Sequence, residues 1–188
     1  MLLPAGTYDI GPDNGTVTVR TYREGMAAKI GHDLVMTVAQ WKGSVTIDPD
    51  TPSNSSVSVS FDTGTFQVLS GTGGAKPLSD KDRKDILNNI AGKVLHTDKH
   101  PQITFTSERV DASAENRVGV DGKLTIAGTT RPVHLELTLE QTSGGVRASG
   151  TLPVKQTEFG IKPFTALMGA LKVKDDMEID VEAALTAL

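Results

Sequence analysis

The chain has no cysteine, so disulfide frameworks, cysteine-ligated zinc and thiol catalysis are excluded at once. Aromatics are scarce: one Trp, two Tyr and five Phe in 188 residues leave few side chains able to fill a large interior. No surplus of basic charge exists, because 19 Lys and Arg face 23 Asp and Glu for a net of −4, which argues against a broadly basic nucleic-acid binder. Long apolar runs are also missing. The longest, over 164–173, is roughly ten residues and too short to span a bilayer. The opening Met1-Leu2-Leu3-Pro4-Ala5-Gly6 shows neither a basic n-region nor an apolar h-region, so a soluble, cytoplasmic protein is expected. Nor is there a Gly-x-Ser-x-Gly nucleophile elbow, and the Gly-rich Ser70-Gly71-Thr72-Gly73-Gly74 lacks the Lys-Ser/Thr of a phosphate loop.

What the chain does have is alternation. Val17/Val19, Ile30/His32/Leu34/Met36/Val38, Trp41/Val45/Ile47 and Val57/Val59/Phe61 each place apolar residues on one face and polar ones on the other. The pattern returns at Ile103/Phe105, Leu124/Ile126, Val133/Leu135/Leu137/Leu139 and Met177/Ile179/Val181/Ala183/Leu185. Turn signals separate these runs, among them Gly11-Pro12-Asp13-Asn14-Gly15, Pro49-Asp50-Thr51-Pro52 and Ser143-Gly144-Gly145. Many short antiparallel strands joined by tight turns predict an all-β sandwich or barrel, and no linker or repeat divides residues 1–188, which read as one domain.

Two stretches depart from alternation. Over 79–95, Ile86, Leu87, Ile90, Val94 and Leu95 fall at helical spacing, and Ser79 with Asp82 resembles a capping box, so an amphipathic helix is predicted there. The apolar segment 159–171 is expected to be irregular or a short helix, and the Gly-rich 68–77 a loop.

Several blocks resemble the YceI-like family. His100-Pro101-Gln102-Ile103-Thr104-Phe105-Thr106-Ser107 is similar to its P-x-I-x-F-x-S element. Gly122-Lys123-Leu124-Thr125-Ile126-Ala127-Gly128-Thr129-Thr130-Arg131-Pro132-Val133 matches G-x-L-T-I-x-G-x-T-K/R-P-V, the most specific of the blocks. Glu158-Phe159-Gly160-Ile161 resembles x-F-G-I, and Gly43-Ser44-Val45-Thr46-Ile47-Asp48 an early G-x-I-x-x-D strand. The family's N-terminal W-x-I-D-x-x-H-S is replaced here by Tyr8-Asp9-Ile10-Gly11-Pro12-Asp13-Asn14-Gly15.

The resemblance implies a lipocalin-like antiparallel β-barrel of about eight strands. Its implied role is non-catalytic: binding a polyisoprenoid or isoprenoid-quinone chain for sequestration, storage or transport, with no required cofactor. A homodimer is implied as well, and the family's best-known members are periplasmic. The expected cavity wall is Leu34, Met36, Val45, Val59, Phe61, Ile103, Phe105 and Leu135. Leu87 and Ile90 of the helix, with Phe159, Phe164, Leu167 and Met168, are expected to close its mouth. The same alternation would also give a filled core acting only as an interaction scaffold, with 159–171 as a dimer contact.

His32 lies on the apolar file between Ile30 and Leu34, where it would bond a ligand head group, ligate a metal or simply be satisfied by backbone. A metal-dependent protein or enzyme centred on His32 with His96, His100 or Asp98 is the competing reading. His134 alternates with outward glutamates and reads as a surface residue.

Overall fold

A computed structural model describes residues 3–186. The strands are β1 (Gly6–Ile10), β2 (Gly15–Glu24), β3 (His32–Val38), β4 (Trp41–Ile47), β5 (Ser56–Asp62) and β6 (Phe66–Gly73), followed by the helix α1 (Asp80–Asn89). Then come β7 (Gln102–Ala114), β8 (Arg117–Ile126), β9 (Thr129–Thr142), β10 (Gly145–Lys155), the two-residue β11 (Thr165–Ala166) and β12 (Leu171–Thr186). All pair antiparallel in the order β1-β4-β5-β7-β8-β9-β10-β12-β2-β3-β6, with β11 beside β12.

The all-β prediction holds, but the expected barrel of about eight strands needs correction. The described residues form a 12-stranded sheet curled into a half-barrel, with no ladder between its end strands β1 and β6. Kinks account for the difference. β1 and β2 are consecutive segments broken at 11–14, where Asn14 bonds back to Gly11 and Asp9. β3/β4 break at Ala39–Gln40, and β5/β6 at Thr63–Thr65, where the Asp62 carboxylate accepts from Gly64 N. Bonds from Ala39 N to Thr65 O and from Asp62 N to Gln40 O tie these two kinks together. After each kink the chain pairs with a different stretch of its neighbour, which adds curl and strand count without adding residues.

Alternation becomes burial directly. Along β9, half-buried Val133, Leu135, Leu137 and Leu139 interleave with exposed His134, Glu136, Thr138 and Glu140. The β8–β9 connection is a two-residue hairpin turn in which Ala127 (φ 47°) and Gly128 (φ 77°) both take positive φ, matching the right-handed twist of the strands.

The predicted helix is present, with a modified end. Ser79 caps α1 through a reciprocal box with Asp82, and its last turn widens into a π-turn over Ile90–Val94, closed by Leu95 N to Ile90 O. Arg83 donates to the Val68 carbonyl and docks the helix on β6. The Gly-rich stretch expected to be a loop is strand as far as Gly73, because β6 pairs with β3 there and Gly71 leaves room for the Leu78 side chain. The 159–171 segment is irregular, with short 3₁₀ turns at Gln156–Phe159 and Leu167–Gly169 around β11.

Two apolar clusters occupy the two ends of the interior. One gathers Leu95, Leu124, Ile126, Leu152, Val154, Phe159 and Ile161 beneath the helix. The other gathers Leu3, Ile10, Val17, Trp41, Val146 and Leu185 at the far end.

Candidate ligand-binding cavity

Between and above these clusters the interior is hollow. A cavity of about 790 Å³ runs along the inward files of the sheet, large against the range of about 300–1,000 Å³ typical of small-molecule sites. Its walls are mostly Val, Leu, Ile and Ala from β2, β4, β5, β7, β8, β9, β10 and β12, with Trp41, Phe61, Phe66 and Phe105 as the aromatics. Few aromatics leave space, and glycine keeps the walls thin: a Cβ at Gly122 would lie 2.6 Å from the Phe105 ring, so only glycine lets that ring lie against β8. Trp41 and Phe61 meet with centroids 5.7 Å apart and planes tilted by 35°, anchoring β4 to β5.

The cavity has one polar end. Thr46, Asp48, Ser55 and Ser56 of the β4–β5 turn, Glu115 of the β7–β8 turn, Gln141 and Glu182 supply its polar lining. Among the described residues no Lys, Arg or His lines it. The Asp48 carboxylate accepts from Asn54 Nδ2 (3.0 Å) and from the amides of Thr51 (2.9 Å) and Asp50 (3.2 Å). These donors, Asn54 first, hold its carboxyl below the usual range and fix the turn that rims the mouth.

The opposite end is closed. Phe159, only 2% exposed, is driven into the helix-side cluster by the 3₁₀ turn that carries it. Asp175 anchors that turn, accepting from Thr157 N (2.8 Å) and Thr157 Oγ1 (2.6 Å), and these bonds hold its carboxyl below the ordinary range. Buried Gln156 donates to the Lys174 carbonyl at 2.7 Å, and Arg131 Nε donates to the Glu158 carbonyl at 2.7 Å.

Of the residues expected on the wall, Val45, Val59, Phe61, Ile103, Phe105 and Leu135 line the cavity together. Leu34 and Met36 do not: half-buried Leu34 lies opposite Thr21 and Gly71 in the sheet, and buried Met36 lies opposite Val19 of β2 and Val68 of β6. The residues expected at the mouth lie at the closed end instead. Phe159 is part of the plug, Ile90 packs against it and Leu87 is half-buried on α1. Phe164 is half-buried with Lys93 Nζ 5.7 Å from its ring centroid, while Leu167 and Met168 are exposed.

His32 also lies outside the cavity, its Nε2 2.8 Å from the Lys76 carbonyl, so the ring ties down the Gly-rich turn. Asp33 on the opposite face accepts from Arg23 N at 2.8 Å. His100 packs its ring over Gly128, His96 sits in a left-handed conformation after the helix, and His134 pairs with Asp121 at 2.6 Å on the surface. Among the described residues no three His, Cys, Asp or Glu side chains are grouped to hold a metal ion. Sequence reasoning missed Val17, Val110, Val120, Leu137, Leu139 and Val181 as lining residues. Val17, Leu137, Leu139 and Val181 sit on the alternating files and Val120 continues that of Leu124 and Ile126, so their facing was legible and their height along the barrel was not. Val110 lies past the register shift between Ser107 and Arg109, out of phase with Ile103 and Phe105, so even its facing was hidden.

The YceI-like domain family matches residues 8–185, all but the extreme ends of the chain. The chain belongs to the YceI-like family. The UPF0312 proteins of Pseudomonas savastanoi pv. phaseolicola and Pseudomonas syringae pv. syringae are each 28% identical to it over 132 residues, 67% of this chain and 62% of theirs. The chain thus spans about 62% of the length of the curated relatives it matches.

Among solved structures, Burkholderia cenocepacia BcnA superposes with a TM-score of 0.69 at 22% identity, covering 93% of this chain and 96% of that one. A polyisoprenoid binding domain from Saccharophagus degradans gives 0.65 at 10% identity, covering 98% and 100%. The Campylobacter jejuni YceI protein gives 0.60 at 16%, covering 81% and 85%. At these identities the likeness is one of fold, and the fold is lipocalin-like. In this YceI-like chain the family blocks have an architectural meaning. Leu124 to Arg131 and Glu158 to Ile161 build the closed end, through Leu124, Ile126, Phe159 and Ile161 in the plug and the Arg131 bond that clamps the turn.

Proposed function

We propose that this YceI-like chain binds a polyisoprenoid or isoprenoid-quinone chain in its interior without catalysing a reaction on it, serving to sequester, store or carry it. The observation that carries this reading is the apolar cavity of about 790 Å³, closed at one end and polar-rimmed at the other. At roughly 30 Å³ per water-sized group it encloses about 26 such groups, close to five isoprene units, and a longer chain or a head group would stand at the rim.

Burial at about 0.8 kcal/mol per methylene gives a gross gain near 20 kcal/mol for such a chain. Association and ordering take back about 4–15 kcal/mol and leave about 5–16 kcal/mol, a range from about 0.2 mM to picomolar that includes micromolar binding with almost no polar contact. The Saccharophagus degradans fold relative is described as polyisoprenoid-binding, which supports the same ligand class.

Detergent-free purification followed by native mass spectrometry and organic extraction tests the proposal. An adduct lost on denaturation, with masses stepping by an isoprene unit, is expected. A protein that carries no such adduct and takes up no prenyl alcohol or quinone in a direct titration overturns it.

A further inference from the structure

At the closed end, two turns make a surface unlike the rest of the molecule. The turn after β2 presents Met26 (96% exposed) and Ile30, and the turn before β12 presents Leu167 and Met168 (105% exposed). A bond from Ala27 N to the Ala170 carbonyl (2.9 Å) holds the two turns side by side, and the strands beneath them pair Lys172 with Glu24 and Val173 with Arg23. The backbone does not favour this display. Leu167 (φ 52°) and Met168 (φ 54°) both sit in the left-handed region, a costly conformation for residues with side chains, and it turns outward the groups that burial would turn inward.

The charge around this tip is one-sided. Segments 25–32 and 159–174 carry Lys29, Lys162, Lys172 and Lys174 and no Asp or Glu, in a chain whose net charge is −4. Of the acidic residues flanking them, Asp33 accepts from Arg23 N, Asp175 accepts from Thr157, Glu24 lies opposite Lys172, and Glu158 stands at the margin. A symmetric contact with a second copy would set lysines against lysines. Lipid phosphates would meet them with opposite charge.

We propose that this tip docks on the surface of an anionic lipid bilayer, with Met26, Leu167 and Met168 entering the headgroup layer and the lysines meeting lipid phosphates. The inference goes beyond ligand binding and does not depend on it. β12 runs from the tip to the cavity's mouth, so docking tethers the protein with its mouth facing water.

Flotation of the purified protein with phosphatidylcholine vesicles, with and without phosphatidylglycerol, tests this. The protein is expected to float with the anionic vesicles, less so at high salt. A Leu167→Ser/Met168→Ser double variant is expected to bind about tenfold or more weakly, and Lys29→Gln/Lys162→Gln to lose the preference for anionic lipid. Both change exposed side chains, and an unchanged thermal melt confirms that the fold is intact. Absence of flotation, or equal binding by the double variant, overturns the proposal. So does a doubled mass by light scattering that the double variant returns to monomer, which would assign the patch to a second copy of the chain.

Discussion

The two ends of this curled sheet are built from the same alternating strands yet do opposite things. At the helix end, Phe159 and Ile161 arrive from outside the sheet and fill the space between Leu124, Ile126, Leu152 and Leu95. At the other end Leu3 packs with Ile10, Val17, Trp41, Val146 and Leu185, while the half-buried Val45, Val59 and Leu139 still line open space beneath a polar rim. The comparison teaches that alternation decides which residues face inward, while an irregular segment decides whether the inside is solid. A plug supplies stability; its absence supplies volume.

Breaking the plug should therefore have the largest effect. Phe159→Ala removes a side chain that is 2% exposed and should cost about 3–5 kcal/mol in denaturant unfolding. A loss below about 1 kcal/mol would mean the closed end is softer than its packing implies. The converse change is to plug the open end: Leu139→Trp projects a large ring into the cavity, and prenyl uptake by titration should fall about tenfold or more while the melting temperature stays close to the parent's. Undiminished uptake would place the ligand elsewhere.

Acid should sharpen the contrast. Asp175 is held below the ordinary carboxylate range by its bonds from Thr157; for Asp180, burial pushes the carboxyl up but the Arg20 guanidinium and the Thr151 hydroxyl outweigh it and leave it low. A carboxyl depressed on folding contributes its full stability above the unfolded-chain value of about 4, and loses that contribution as the pH falls through its lower folded value. Melting temperature should accordingly drop on acidification below about pH 4, and drop less steeply in Asp175→Asn. Parallel curves would show that the anchor of the Phe159 turn does not titrate there. The smallest effect is expected at the rim. Asp48→Ala frees the donors of Asp50, Thr51 and Asn54, so amide exchange should rise over 48–55 with little change in the global melt. Protection that stays the same would show that other contacts hold the turn.

Much of this was legible in the residues. The β9 and β12 files, the Ser79 cap and the β8–β9 signature could be read directly, because each rests on local periodicity or a local bond. Height along the barrel could not. Leu34, Met36 and Val38 share one file of β3, but only Val38 reaches the cavity, since register against β2 and β6 is set by partners distant in sequence. The break at 11–14 was signalled by Gly11-Pro12-Asp13-Asn14-Gly15, whereas the kinks at 39–40 and 63–65 were likewise hidden, because they keep the apolar face while changing the neighbour. The segment 159–171 looked like an apolar lip in composition. Phe159 and Met168 lie nine positions apart in it and end up in opposite surroundings, one in the plug and one in solvent.

The π-turn that ends α1 sets the phase of everything after it. Each residue advances an α-helix by roughly 100°, so the additional residue held in Ile90–Val94 determines which way Leu95 faces when it reaches the plug. Shortening that turn by one position would leave the helix's own bonds satisfiable and still swing Leu95 away from Leu124 and Phe159. The closed end is thus tuned by a count of residues as well as by their identity, and length there is constrained where composition is comparatively free.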